Sequence, residues 1–204
     1  MQKAKFWNKI ADKYAKGPIS DMASYEHKLK LTQDLFHSDM SVLEIACGTG
    51  STAILHAPHV AKYLAVDISE RMIEIARAKD GPPNLSFQVA DVEDMPLEPG
   101  SFDMVQAHSA LHLLSDPNAA VEKMYDALKP GGLFVSSTTC VGGIWWLKFI
   151  APIGQALGKV PHLAWFTENG LREMVQDAGF EIIEDWRPEG KITALFLIAR
   201  KPDS

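Results

Sequence analysis

Short apolar runs alternate with helical patterns along most of the chain, and this alternation constrains the fold more than any other feature. SVLEIAC (Ser41–Cys47) is rich in branched residues and stops at glycines, as a buried strand does. KYLAVD ends in Asp67, NLSFQVAD in Asp91, SFDMVQAH near His108 and GGLFVSS near Ser137, each followed by a loop or helix. In SDPNAAVEKMYDALKPGG, Asp116 suits an N-cap and Pro117 a first turn; Ala120, Val121, Met124 and Leu128 mark one face, and Pro130-Gly131-Gly132 ends the helix. Thr167 caps the helix in FTENGLREMVQDAG, with Gly179 just past its end. Residues 3–36 read as two polar helices interrupted by Gly17-Pro18. Strand–helix alternation predicts parallel strands joined by right-handed crossovers. FEIIEDWRPEGKITALFLIARK reads instead as two strands joined by a short turn containing Gly190, an antiparallel hairpin. The expected fold is α/β: a Rossmann-like, doubly wound, mostly parallel seven-stranded sheet closed by a C-terminal antiparallel hairpin.

The chain has 204 residues, which suits one domain, and no stretch reads as a dividing linker. Its expected parts are N-terminal helices over a ligand site (1–40), a nucleotide-binding core (41–137), an apolar insertion (138–166), and a last helix with the hairpin (167–204). Twenty basic against 26 acidic residues give a net charge of −6, without a basic run, which argues against a nucleic-acid partner held by phosphate contacts. Cys47 and Cys140 are too few and too far apart for a disulfide framework or a zinc site, so no metal is expected. MQKAKFWNKIADKY lacks the apolar core of a signal peptide, and no run approaches the roughly 20 apolar residues that span a bilayer. The expected location is cytoplasmic.

ACGTGSTA follows the first strand and opens a helix. Glycines at 48 and 50 allow a sharp turn and close approach to an anionic or nucleotide ligand, or simply a tight strand-to-helix turn. Gly48, Gly50 and Ala53 satisfy the dinucleotide pattern, and Asp67 lies 19 positions after Gly48, so an NAD-type module is a competing reading. Two carboxylates shift the balance. Glu44 sits on the first strand, where it could support a cationic ligand, and Asp91 ends the third, where it could accept from an adenine amino group.

VLEIACGTG, LAVDISERMIEIAR, VADVEDMP, FDMVQAHSALHLL and LKPGGLFV occur in the order and spacing of class I S-adenosylmethionine-dependent methyltransferases, which the chain resembles over about residues 40 to 137. The resemblance implies S-adenosylmethionine as cofactor. It places Ala46, Gly48, Thr49 and Gly50 against the methionyl part with Glu44 in support, and Asp67 on the ribose. It places Ile68 and Met72 beside the adenine, Asp91 and the Val92 backbone on its polar edge, and Ala107 and His108 facing the methionyl group. Similar small methyltransferases close the site with the segment between their first helices, where Tyr14 is the expected contact.

Methyl transfer is an in-line displacement that needs alignment and exclusion of water, and needs a base only when the acceptor arrives protonated. His108 is the candidate base, with packing on the cofactor as its plainer role. His112 reads as structural and His162 as a further candidate. Arsenite methylation would require a thiolate cluster, and HSALHLL lacks the Asn/Asp-Pro-Pro-aromatic signature of amino methylation in nucleic acids or proteins. CVGGIWWLKFIAPIGQALGKVPHLAWF (140–166) carries three of the five tryptophans and no carboxylate. Pro152 should break it into two short helices. It reads as satellite core, as a lid whose Trp145, Trp146, Phe149, His162, Trp165 and Phe166 line an acceptor pocket, or as a peripheral membrane contact. The expected acceptor is small or lipid-like and apolar, a quinol or phenol first and a phospholipid amine second. A non-catalytic cofactor-binding regulator stays open, as does the oligomeric state.

Overall fold

The computed structural model describes residues 2–144, 147–156, 160–188 and 194–203. The strands are β1 (Ser41–Ile45), β2 (Lys62–Asp67), β3 (Leu85–Val89), β4 (Phe102–His108), β5 (Leu128–Thr139), β6 (Glu181–Trp186) and β7 (Ala194–Arg200). They form one sheet in the order β3-β2-β1-β4-β5-β7-β6. Pairing is parallel from β3 to β5 and antiparallel for β5–β7 and β6–β7, as expected. The helices are α1 (Gln2–Lys16), α2 (Met22–Gln33), α3 (Ser51–His56), α4 (Glu70–Arg77), α5 (Pro117–Ala127), α6 (Leu147–Ala156) and α7 (Glu168–Asp177).

Because side chains alternate along a strand, the sheet carries two different faces. Leu43, Ile45, Val105, Ala107, Phe134 and Leu197 join an apolar core that includes residues of α5 and α7. Val42, Ala65, Met104, Val135 and Phe196 form the second core, on the face of α3 and α4. That second face is interrupted by polar side chains at its centre: Glu44, Gln106 and Ser137 are buried there, beside the buried Tyr63. The chain winds outward from β1 through β2 to β3, then returns to place β4 on the other side of β1. The carboxyl ends of β1 and β4 therefore flank a topological switch point, where ligands of open α/β sheets bind.

The capping signals act as expected. Asp116 Oδ1 accepts from the Ala119 N–H at 3.0 Å, Thr167 Oγ1 from the Gly170 N–H at 3.1 Å, and Gly179 has φ +100°. Three boundaries differ from the sequence reading. β3 ends at Val89, short of Asp91. α5 stops at Ala127, before Pro130; Leu128 pairs with Phe102 and already belongs to β5, which runs irregularly through Gly131 at φ +72°. Pro152 does not break the insertion: α6 runs through it, because a proline removes one ladder bond and here lies on the exposed side. The Gly190 turn, Trp145 and Trp146 lie outside the described residues, as does the Phe149 side chain. No helix among the described residues is long and apolar enough to cross a membrane.

Candidate functional site

At the switch point lies a cavity of about 990 Å³. The loop that forms its floor has three residues at positive φ: Ala46 (+49°), Gly48 (+55°) and Gly50 (+74°). Gly50 is also sterically required, since a Cβ there would meet the Phe87 ring at 2.6 Å. The loop is tied to β2 through one carboxylate. The Gly48 N–H donates to Asp67 Oδ2 at 2.9 Å and the Ser69 N–H to Oδ1 at 2.8 Å. Burial raises the Asp67 pKa, and these two hydrogen bonds oppose the rise.

Of the sequence-predicted cofactor residues, Tyr14, Ala46, Gly48, Asp67, Ile68, Met72, Asp91, Val92 and His108 come together on the cavity wall. Thr49, Gly50 and Ala107 do not reach it; they shape the loop and strand beneath. Glu44 does not stand on the wall either. Its even position on β1 turns it onto the sheet face, where it is 2% exposed and accepts from the Tyr63 hydroxyl at 2.7 Å. Burial pushes its pKa up to about 8, so it is a neutral internal acid at neutral pH, off the cavity wall.

Much of the aromatic wall comes from α1, through Phe6 and Trp7. The helical spacing of Trp7 and Tyr14, two turns apart, was the available sequence signal. Asn8 Oδ1 accepts from Ser69 Oγ at 2.6 Å, and the Arg71 guanidinium donates to both Asp12 oxygens at 2.7 and 3.2 Å. Lys3 pairs with Glu93. These contacts strap α1 across the cavity mouth, with Lys5 and Lys9 also on the wall.

The insertion contributes Gln155, Val160, Pro161, His162 and Leu163. Its described aromatics do not contribute. Trp165 is off the wall, and Phe166 belongs to the core, where its carbonyl accepts from the Gly142 N–H at 2.9 Å. The Ala164 N–H donates to the His112 carbonyl at 2.8 Å, pinning the insertion to the segment after β4. His112, read from sequence as structural, lines the cavity and keeps a buried Nδ1 without a partner among the described residues. Burial lowers its pKa to about 4. His108 is lowered to about 3 by burial, then by His56 and Lys28, so His108 and His112 on this wall are uncharged at neutral pH. No metal-ligand cluster occurs among the described residues.

Residues 42–132 match the model of a family described as a methyltransferase domain. The chain is 31% identical over 139 residues to the demethylmenaquinone methyltransferase of Symbiobacterium thermophilum, covering 63% of this chain and 55% of that protein. It thus spans about half the length of that relative. It is 33% identical over 169 residues to the demethylmenaquinone methyltransferase of Lactococcus lactis subsp. lactis, covering 71% and 67%. The crystal structure of an S-adenosylmethionine-dependent methyltransferase from Mesorhizobium loti superposes with a TM-score of 0.73 at 22% identity, covering 88% and 99%, a likeness of fold. With its sheet order, glycine loop and these matches, the chain belongs to the class I S-adenosylmethionine-dependent methyltransferases.

Proposed function

We propose that the protein methylates a small apolar acceptor carrying an aromatic hydroxyl, of the reduced-quinone or phenol type, using S-adenosylmethionine. The observation that carries this reading is one cavity that runs along the sheet edge from β3 to β4 and carries two chemically different sets of residues. On the side of β2 and β3, Asp67 and Asp91 offer carboxylates suited to ribose hydroxyls and an amino group, together with the apolar Ile68, Met72 and Val92. After β4 come the uncharged His108 and His112 with Leu113 and Leu114, and the insertion adds Val160 and Leu163 to the same wall. The positive-φ glycine loop gives close backbone approach beside the Asp67 carboxylate, which fits a cationic nucleoside ligand. S-adenosylmethionine, when bound, supplies an electrophilic methyl group. The protein's part is to align the acceptor, keep water out beneath α1, and receive a proton at His108. The two relatives named above act, by their names, on a demethylated menaquinone, which supports an acceptor of this class.

The test is transfer of label from methyl-labelled S-adenosylmethionine to a chemically reduced naphthoquinone and to simple phenols, with a phospholipid amine as comparison. Protein-dependent label in the extracted quinol or phenol is expected. Label only on the phospholipid, or only on water-soluble products, would refute the aromatic-hydroxyl reading.

A further inference from the structure

We propose that Gln106 is a positioning residue that holds His108 in the tautomer with its proton on Nε2 and a free lone pair on Nδ1, so that the acceptor end of the cavity is selective for a group that donates a hydrogen bond, a hydroxyl. The tautomer assignment stands on geometry alone; the hydroxyl selectivity rests on the methyl-transfer reading above.

Gln106 lies at the centre of β4 with no exposed surface. In the orientation the structure shows, the amide Nε2 donates to Met104 Sδ at 3.3 Å, a weak acceptor that has no proton to give. The carbonyl oxygen therefore faces the remaining three groups: His56 Nδ1 at 3.0 Å, His108 Nε2 at 3.0 Å and the Tyr63 hydroxyl at 3.3 Å. An amide oxygen can only accept, so both imidazoles must present N–H to it. The opposite tautomer of His108 would set two lone pairs against each other at 3.0 Å. Tyr63 has a nearer acceptor in Glu44, at 2.7 Å, and does not displace either histidine.

This fixes the remaining ring nitrogens as acceptors. On His56 that nitrogen, Nε2, is buried and has no partner among the described residues. On His108 it is Nδ1, which is neither sealed in nor partnered among the described residues, and the residue stands on the cavity wall. An acceptor molecule that brings an O–H satisfies that lone pair; one without a donor leaves it unpaired against apolar surroundings. During transfer the acceptor oxygen bonds the methyl carbon as the carbon–sulfur bond breaks. That electron pair goes to sulfur, and the hydroxyl proton passes to Nδ1 and then to water. The positive charge lost at sulfur reappears on the imidazole, so the cavity carries the same charge before and after. Burial, His56 on α3 and Lys28 on α2 disfavour the His108 cation, so the ring passes the proton on rather than keeping it.

The first test is NMR of the protein labelled with nitrogen-15 histidine, which reports the tautomer of each ring, with His108→Gln assigning the signal. His108 should be a single Nε2–H tautomer at neutral pH in the wild type. Gln106→Leu should give mixed tautomers and a kcat lowered on the order of tenfold, with KM for S-adenosylmethionine unchanged. Gln106→Glu keeps an acceptor in place and should retain the tautomer while raising the pH at which His108 protonates; it also serves if the leucine variant does not fold. An Nδ1–H tautomer in the wild type, or an unchanged tautomer in Gln106→Leu, would overturn the positioning role whether or not an acceptor has been found. Equal binding of a phenol and its analogue lacking the hydroxyl would overturn the selectivity.

Discussion

Replacing Gly50 by alanine probes the loop that sets the whole site. The backbone at this position has φ +74°, and the added methyl would lie 2.6 Å from two carbons of the Phe87 ring and 3.0 Å from Ala76 Cβ. The left-handed backbone costs about 1–2 kcal/mol for an L-residue. Overpacking adds about 1–3 kcal/mol, because Ala76 is part of α4 and the Phe87 ring must move as a rigid body. A midpoint of about 3.5 kcal/mol corresponds to a melting temperature lower by about 10 °C for a chain of this size. Gly48→Ala is the internal control: φ is +55° there too, but the nearest atom to a new methyl is the Tyr14 ring at 3.7 Å. It should lose only the backbone share, about 1–2 kcal/mol. Urea unfolding of both variants measures the difference. Equal losses, or a Gly50→Ala loss within about 0.5 kcal/mol of zero, would refute the steric reasoning.

Asp67→Ala leaves the Gly48 and Ser69 N–H groups without their acceptor, at roughly 1–3 kcal/mol each, part of it offset by removing a buried carboxylate. Affinity for S-adenosylhomocysteine should fall at least about tenfold by calorimetry, and unchanged affinity would move the cofactor site elsewhere. Glu44 has a folded pKa of about 8 against an ordinary carboxyl in the unfolded chain, so as pH rises from about 5 to 8 the unfolded state releases a proton that the native state keeps. Stability should decline across that window, and Glu44→Gln should flatten the decline in a melting-temperature series; an unaltered slope would contradict the internal-acid assignment. The lowered pKa values of His56, His108 and His112 act with the opposite sign, costing stability as pH falls from about 6.5 towards about 4. Trp7→Ala should raise KM for the acceptor or cofactor severalfold with little loss of stability, whereas Trp165→Ala should leave both KM values unchanged, since only Trp7 is on the wall. Steady-state kinetics of the pair decides between the two.

What the sequence reveals here is what local pattern controls. Period-two apolar runs, the Asp116 and Thr167 caps and the glycine loop each act within a few residues, and the parallel connections follow from how strands and helices alternate. The site residues nearest those signals, Gly48, Asp67, Asp91 and His108, lie where the pattern puts them. Glu44 shows the limit: its role turns on burial and on the Tyr63 hydroxyl of a neighbouring strand, which no spacing along the chain encodes. The insertion shows a second limit. Its composition marks it as apolar, but which of its residues meet the cavity is decided by tertiary packing, and Gln155 rather than Trp165 stands on the wall. The partnership of Gln106 with two histidines is likewise invisible until β4 and α3 are packed together.

The unequal faces of the sheet have a consequence for how the molecule opens. One face is sealed mostly by hydrocarbon, its buried Ser136 and Thr138 hydroxyls having no hydrogen-bond partner among the described residues, so exposing it releases a large apolar surface to water at once. The other is divided by Glu44, Tyr63, Gln106 and Ser137, whose hydrogen bonds water can replace one at a time. The layer of α2 and α3 is therefore the half that separates at the lower free energy, and amide protons there exchange sooner than those beneath α5 and α7. Breathing is expected first on the side that carries the ring of His108, and hydrogen exchange resolved by residue measures it.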